Sequence, residues 1–426
     1  LKIVEGQVEW DARRLSTMAW EARECIRRTE SETVVVCSSS AAFIAAAVMA
    51  SWSESRAPLI LDPSLEGERK RIHERYPGAP VLVSSLTPGL QNAVVVPETN
   101  TGSIEIHLPA DDRVAARFFT SGSTGEPKII TKLGHQLRRQ TEAVLPAIGV
   151  PSSPKVFSLV PPVHILGFMY GLFVPITRGG TAWFPGTTVP RAWIECLRKG
   201  AFDYVIGVPS HYRFIVNSLD GPLPAGTYLS SGAPLSAKLD VAFQERSGCT
   251  ITQIFGSTET GGIAKRQGRE AWRPFPEVSW RVRTEDDRLL ISSPWLEGSE
   301  RWYVTDDVAA PEGAGFRLVG RADSIVKVGG KRFSSVEVER AAMALPVVDQ
   351  AVAVAWERYG ENALALFVTL KEGCTLTERR LWDLVSGRLP RFKMARTVRI
   401  VGSLPYLSNG KVDKQRLREE IMSEGD

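Results

Sequence analysis

"FFTSGSTGEPKII", residues 118–130, is the stretch on which the reading of this chain turns. Seven consecutive positions, Thr120 to Glu126, are hydroxyls, glycines and one acid, and Pro127 and Lys128 follow. Glycines let backbone N–H groups approach an anion, hydroxyls add donors, and a lysine adds positive charge. A polyphosphate is the natural guest of such a loop. The spacing is not that of a Walker A loop. In "GSTGEPK", Gly122 to Lys128, a proline precedes the lysine, and no Ser or Thr follows it to hold magnesium. Runs of Gly, Ser and Thr also serve as plain surface linkers, so the surrounding sequence has to decide.

Before the loop the chain alternates. "TVVVCSS" (33–39), "APLILDP" (57–63), "PVLVSS" (80–85) and "NAVVVPE" (92–98) read as buried strands, and "AAFIAAAVMA" (41–50) as a buried helix. The rhythm resumes after it with "KVFSLVPP", "TAWFPG", "FDYVIGVP", "GTYLSSGAP" and "TITQIFGST". Strands alternating with helices argue for an α/β fold of parallel sheets covered by helices. Several of these runs end in Gly, Pro or Ser, at the strand ends where such sheets bind ligands. From about Val278 the runs shorten and alternate ("VSWRVR", "RLLISSP", "RWYVTDD", "FRLVGR"), which predicts a small antiparallel sheet or barrel. A second domain is expected to start near Arg321. It has a capping box of Ser334 with Glu337, two alternating strands, a helix in "TERRLWDLVSGRL", a strand in "ARTVRIVG" and a closing helix. The expected division is 1–320 and 321–426, the second part a compact α+β module.

Composition narrows the function classes. The chain has 426 residues with 43% hydrophobic and 23% charged content, the balance of a soluble globular protein of two or three domains. A net charge of +4 is too small to argue for nucleic acid. Five scattered cysteines without a CxxC pair point to reduced thiols rather than a disulfide framework or a zinc site. The apolar run 41–50 is too short to span a bilayer, and no basic segment with an apolar core opens the chain. A cytoplasmic protein without a membrane span is expected. The five histidines show no metal spacing.

Four further motifs stand in order behind the loop: "FGSTETGG" (255–262), "YVTDD" (303–307), "GRADSIVKVGGKRFSSVEVE" (320–339) and "LSNGKVDK" (407–414). Together with "TSGSTGEPK" they make the chain resemble the adenylate-forming superfamily of acyl-CoA synthetases, luciferases and peptide-synthetase adenylation domains. The resemblance covers about residues 33–420. It implies a large N-terminal domain with an abbreviated first subdomain, a small antiparallel β subdomain, and a small mobile C-terminal domain hinged near Asp323. Compact acyl- or aryl-acid ligases of the superfamily are similarly short. Asp306 stands where the family has Gly, and a bulky acid there is expected to strain the turn.

The resemblance also implies roles. Members join a carboxylate to ATP, releasing pyrophosphate, and pass the acyl group to a thiol. Thr120, Ser121, Gly122, Ser123, Thr124, Gly125 and Lys128 would cradle the β- and γ-phosphates. Thr258 would touch the α-phosphate, and Glu259 would hold Mg²⁺. Ser231, Gly232 and Ala233, with Phe255, would form the adenine slot, and Gly256 and Ser257 would belong to the nucleotide site. Asp307 would accept from the ribose hydroxyls, with Arg321 nearby. His164, Gly207, Val208, Pro209 and Gly256 would line the acyl pocket, and Lys411 would reach the reacting carboxylate.

A free-standing amino-acid-activating domain is the alternative. It would carry an acid for the substrate ammonium in the "FDYVIGVPSHY" segment, where Asp203 is the sole acid and is expected to face solvent. A silent nucleotide-binding scaffold is a third reading. The acceptor is coenzyme A or the phosphopantetheine of an acidic acyl-carrier protein. The run from Lys371 to Arg418, with twelve Lys/Arg against four Asp/Glu, suits either.

Overall fold

The structure is a computed structural model. It describes the chain except residues 65, 86–89, 98–101, 106, 121–127, 297–300, 323–324, 329–330, 359–360, 391–392, 408–411 and 424–426. The chain divides into two compact units, Leu1–Ser279 with Ile291–Tyr303, and Trp280–Leu290 with Val304–Asp426.

The first unit holds two sheets. The β-branched runs Thr33–Cys37 and Ala57–Leu61 form predicted parallel strands and are buried on both faces. The six-stranded sheet runs Ala93–Val95, Val81–Val83, Thr33–Cys37, Ala57–Leu61, Val114–Thr120, Lys128–Leu133. Its last pair is antiparallel and sets Thr120 opposite Lys128, the two residues that flank 121–127. The nine-stranded sheet has a parallel centre in the order Ile251–Ser257, Thr227–Ser230, Tyr204–Gly207, Lys155–Ser158, Thr181–Phe184, Lys2–Glu5. Antiparallel strands extend it at both ends.

Helix Ala41–Ser53 is buried all the way round, from Ala41 to Trp52. It packs against strands of both sheets, which is why it is apolar on every face. Ser40 caps it by accepting from Phe43 N–H, and Glu5 accepts from Ser40 Oγ and Ala41 N–H. Each large side chain it buries (Phe43, Ile44, Val48, Met49, Trp52) stabilises the unit by about 1.5–3 kcal/mol relative to exposure.

The predicted small sheet has four strands, ordered Ser279–Val282, Arg288–Ser292, Tyr303–Glu312, Gly315–Arg321, and most of its residues belong to the second unit. A hairpin of Ile325–Val328 and Lys331–Ser334 follows. The α+β module then builds a three-stranded sheet from Val348–Arg358, Glu361–Leu370 and Thr397–Ile400. Alternation sorts its side chains. Ala353, Leu364, Leu366 and Val368 pack under helices Ser335–Met343 and Glu378–Ser386. Val352, Val354, Ala365 and Phe367 face helix Lys414–Ser423 through Leu417 and Ile421.

Candidate active site

Three adjacent parallel strands of the first unit point the same way: Gly207 and Ser230 end two of them side by side, and the third, level with them at Gln253, runs on to Ser257. Beyond Gly207 and Ser230 the chain turns. Ser231 N–H donates to the Gly207 carbonyl at 3.3 Å. Gly232 adopts φ +83°, a left-handed conformation that favours glycine. A Cβ at Gly232 would stand 3.4 Å from Val208 Cγ1. The candidate adenine residues Ser231, Gly232 and Ala233 therefore run beside the candidate pocket residues Gly207 and Val208.

Pro209 opens helix Pro209–Ser218, where its missing N–H is no loss. Val208 N–H donates to His211 Nδ1 at 3.2 Å, and Trp193 packs edge-on against the imidazole. Burial lowers the His211 pKa to about 4. The ring is therefore neutral at neutral pH, and Nδ1 is free to accept.

Phe255 has a built backing. Its ring packs on Trp272 with centroids 5.4 Å apart, and the Arg266 guanidinium lies over Trp272 at 4.3 Å. Arg266 also donates twice to Gln253 Oε1, at 3.0 and 3.2 Å. The aromatic wall is thus fixed from behind.

The hairpin after Phe255 carries Thr258 and Glu259. A bulge falls between Phe255 and Gly256, and a Cβ at Gly256 would meet the Gly261 carbonyl oxygen at 2.0 Å. The turn bonds to itself: Ser257 N–H donates to Thr260 Oγ1 at 3.0 Å, and Thr260 N–H donates to Ser257 Oγ at 3.1 Å. Trp295 Nε1 donates to the Gly262 carbonyl at 3.2 Å. Lys132 Nζ donates to the Glu259 carbonyl at 2.7 Å. Thr258 and the Glu259 side chain are half-buried at the turn. A single carboxylate suits a Mg²⁺ whose other ligands are phosphate oxygens and water, so the residue present fits a metal that arrives with a triphosphate.

Lys128 is exposed at the start of its strand. His164 precedes a helical segment whose centre, Gly167–Phe173, is π-helical. It is half-buried, and its carbonyl accepts from Phe168 N–H. Asp203 stands just before its strand, as expected, and is half-buried. Its carboxylate accepts from Lys155 N–H at 2.7 Å and ties the starts of two neighbouring strands together. It lies at the opposite strand end from Gly207, away from the candidate pocket.

In the second unit Asp307 and Arg321 are cross-strand partners, with Arg321 Nη1 4.0 Å from Asp307 Oδ1. Asp307 N–H donates to the buried Thr305 Oγ1 at 3.1 Å. The strain expected of Asp306 is not found. Asp306 lies within strand Tyr303–Glu312 and is not among the described positive-φ residues. Its carboxylate pairs with Arg288, and with Arg321 at 3.5 Å. Ser121, Gly122, Ser123, Thr124, Gly125, Asp323 and Lys411 lie outside the described residues, as does the side chain of Thr120.

The sequence did not single out Lys132 or Trp272, and it gave His211 no chemistry. Lys132 had one legible signal: it stands four residues after Lys128 in the same strand, on the same face.

The sequence model of the family described as AMP-binding enzyme matches residues 15–290, and that of the AMP-binding enzyme C-terminal domain matches 337–411. Among curated proteins, the sulfoacetate–CoA ligase of Cupriavidus necator is 24% identical over 82% of this chain and 75% of its own length. The benzoate–CoA ligase of Thauera aromatica is 28% identical over 70% of this chain and 64% of its own length. Among solved structures, ATP-bound MatB of Rhodopseudomonas palustris superposes with a TM-score of 0.87 at 17% identity, covering 100% of this chain and 96% of that one. A benzoate CoA ligase of Burkholderia xenovorans gives 0.81 at 20% identity, covering 98% and 96%. At these identities the superpositions establish the fold: a large N-terminal and a small C-terminal domain of mixed α/β structure.

Proposed function

Because the chain belongs to the AMP-binding enzyme family, we propose that it is an ATP-dependent acid–thiol ligase. A carboxylate oxygen attacks the α-phosphorus of ATP, the bond to pyrophosphate breaks, and an acyl-adenylate forms. A thiol then attacks the acyl carbon, and AMP leaves. The observation that carries the reading is the convergence of Gly207–Val208, Ser231–Ala233 and the braced Phe255–Glu259 segment at one edge of the parallel sheet.

Each residue has a task within this reading. Phe255, backed by Trp272, offers a flat face to adenine, and the Ser231–Ala233 backbone offers polar groups beside it. Thr258 donates towards the α-phosphate. Glu259 would hold a Mg²⁺ arriving with ATP, an ion that would supply charge screening of the phosphates. Thr120, Lys128 and residues 121–125 receive the β- and γ-phosphates. Asp307 accepts from ribose hydroxyls, with the Arg321 guanidinium beside its carboxylate. His164, Val208 and Pro209 shape the acyl pocket, and Lys411 neutralises the reacting carboxylate.

The relatives named as coenzyme A ligases support coenzyme A as acceptor. A carrier-protein phosphopantetheine is the second choice, favoured by the basic run from Lys371 to Arg418. The amino-acid-activating reading is weakened because Asp203 is engaged with Lys155 N–H. ATP–pyrophosphate exchange over a panel of aryl, short-chain and fatty acids and amino acids tests the reading. Exchange with carboxylic acids, followed by thioester formation with coenzyme A, is expected. Exchange with amino acids alone would favour the alternative, and none at all the silent scaffold.

A further inference from the structure

Lys132 is the charged residue most deeply buried among the described residues, at 1% exposure. Lysine is almost never fully buried unless its ammonium is engaged, because desolvating the charge costs several kcal/mol. Here the ammonium donates to a backbone carbonyl 127 residues away in sequence, that of Glu259, at 2.7 Å. Room for the stem is provided across the strand pair, where the residue opposite Lys132 is the buried Ala116.

Two features make this contact more than core filling. The first is its target. The hydroxyls and N–H groups of Ser257 and Thr260 already bond to one another across the turn. Lys132 takes the carbonyl of the one residue in that turn placed to meet a metal. The second is its strand. Lys128, Ile130 and Lys132 share one face of Lys128–Leu133, and pairing is regular from Thr120–Lys128 through Ala116–Lys132. One extended segment therefore carries the lysine next to residues 121–127 at its start and the lysine on Glu259 roughly 13 Å further on. The strand acts as a ruler between the two.

We infer that Lys132 is a positioning residue for Mg·ATP: it fixes the Thr258–Glu259 turn relative to the Lys128 end of the strand, so that the Glu259 carboxylate meets a metal held by the phosphates. The inference rests on the reading of Glu259 as a metal ligand. Lys132 touches neither nucleotide nor metal and acts through the backbone of Glu259.

The readout is the gain in ATP affinity that Mg²⁺ confers, measured as the ratio of calorimetric Kd values without and with the metal. Thermal melts run in parallel. Lys132→Met removes the donor at nearly constant volume and is expected to cut the gain at least tenfold. ATP affinity without metal should change less than threefold. Lys132→Arg, which keeps a charged donor, is expected to recover part of the gain. In a Glu259→Gln background, Lys132→Met should cause no further loss. If Lys132→Met does not fold, Lys132→Gln, with a donor of shorter reach, takes its place. A wild-type gain in the Lys132 variant while Glu259→Gln loses it overturns the role of Lys132 alone. A wild-type gain in Glu259→Gln overturns the metal reading and the inference together. Equal loss of affinity with and without Mg²⁺ reduces Lys132 to a fold residue.

Discussion

At the scale of single residues, burial and hydrogen bonding decide which groups do what. His211 is held neutral by burial, with its pKa lowered from 6.5 to about 4. In the unfolded chain it takes a proton near 6.5, but in the folded chain only near 4. Between those values the unfolded state binds more protons, so stability falls as pH drops from 6.5 towards 4 and is unaffected above it. The loss is at most about 3 kcal/mol, from 1.36 kcal/mol per unit. His211→Gln keeps an acceptor for Val208 N–H and removes the titration. Urea unfolding of both proteins from pH 7 to 4 should show the variant gaining on the native chain below 6.5, and a constant difference would refute the assignment. Sequence could not have shown this, because "SHY" says nothing of Trp193 or of the Val208 N–H that the ring meets. Asp306 shows the converse. A substitution that reads as strain from the motif alone is accommodated in a strand between Arg288 and Arg321. The motif letter was visible, but its backbone angle and its two cationic neighbours were not.

At the scale of elements, the strands were legible where hydrophobic runs were fully buried, as at Thr33–Cys37, Ala57–Leu61 and Tyr204–Gly207. The helix at Ala41–Ser53 was legible for the same reason. Glycine-terminated strand ends were legible too, as at Gly207, and the backbone groups they free are where the proposed ligand is assigned. Braces across long sequence separations were not legible. Lys132 on Glu259 and Trp272 behind Phe255 join residues that no local pattern relates. A lysine within "KIITKL" would ordinarily be assigned to a solvated face, and it is buried. The hairpin that these braces serve gives a sharp test. Gly256→Ala puts a methyl 2.0 Å from the Gly261 carbonyl oxygen, a backbone atom that can move only by opening the hairpin. Overpacking of this kind costs about 1–3 kcal/mol. The variant should therefore lose about that much stability by urea unfolding and most of its pyrophosphate exchange. Gly268→Ala, with nothing within 4 Å of its Cβ but a φ of +55°, controls for backbone strain alone. Equal exchange in the two variants would mean that the hairpin geometry is not what the reaction uses.

At the scale of the whole molecule, two half-reactions make different demands on the protein. Adenylation needs a cation at the carboxylate, and thioester formation needs a path for a thiol to the same carbon. The chain offers two compact units joined by three crossings, at 279–280, 290–291 and 303–304. The second unit contains most of the four-stranded sheet that ends at Arg321, and the α+β module. Asp323, proposed as a hinge, follows that sheet and precedes the hairpin that begins at Ile325. Hinges are a few element-terminal residues that absorb large φ/ψ changes. A turn about Asp323 would therefore have to move the module against the sheet inside the second unit. Proline at 323 fixes φ near −65° and holds the chain to one arrangement. Asp323→Pro is expected to form acyl-adenylate at near the native rate and to lose thioester formation by tenfold or more. Lys411→Ala, which removes the cation assigned to the carboxylate, is expected to lose adenylation by a factor of about 10²–10³, the usual effect of deleting one preorganised donor. It should still transfer the acyl group from a supplied adenylate. Assaying each half-reaction alone in each variant separates the two roles. Equal losses in both half-reactions for both variants would show that a single arrangement of the module serves both steps.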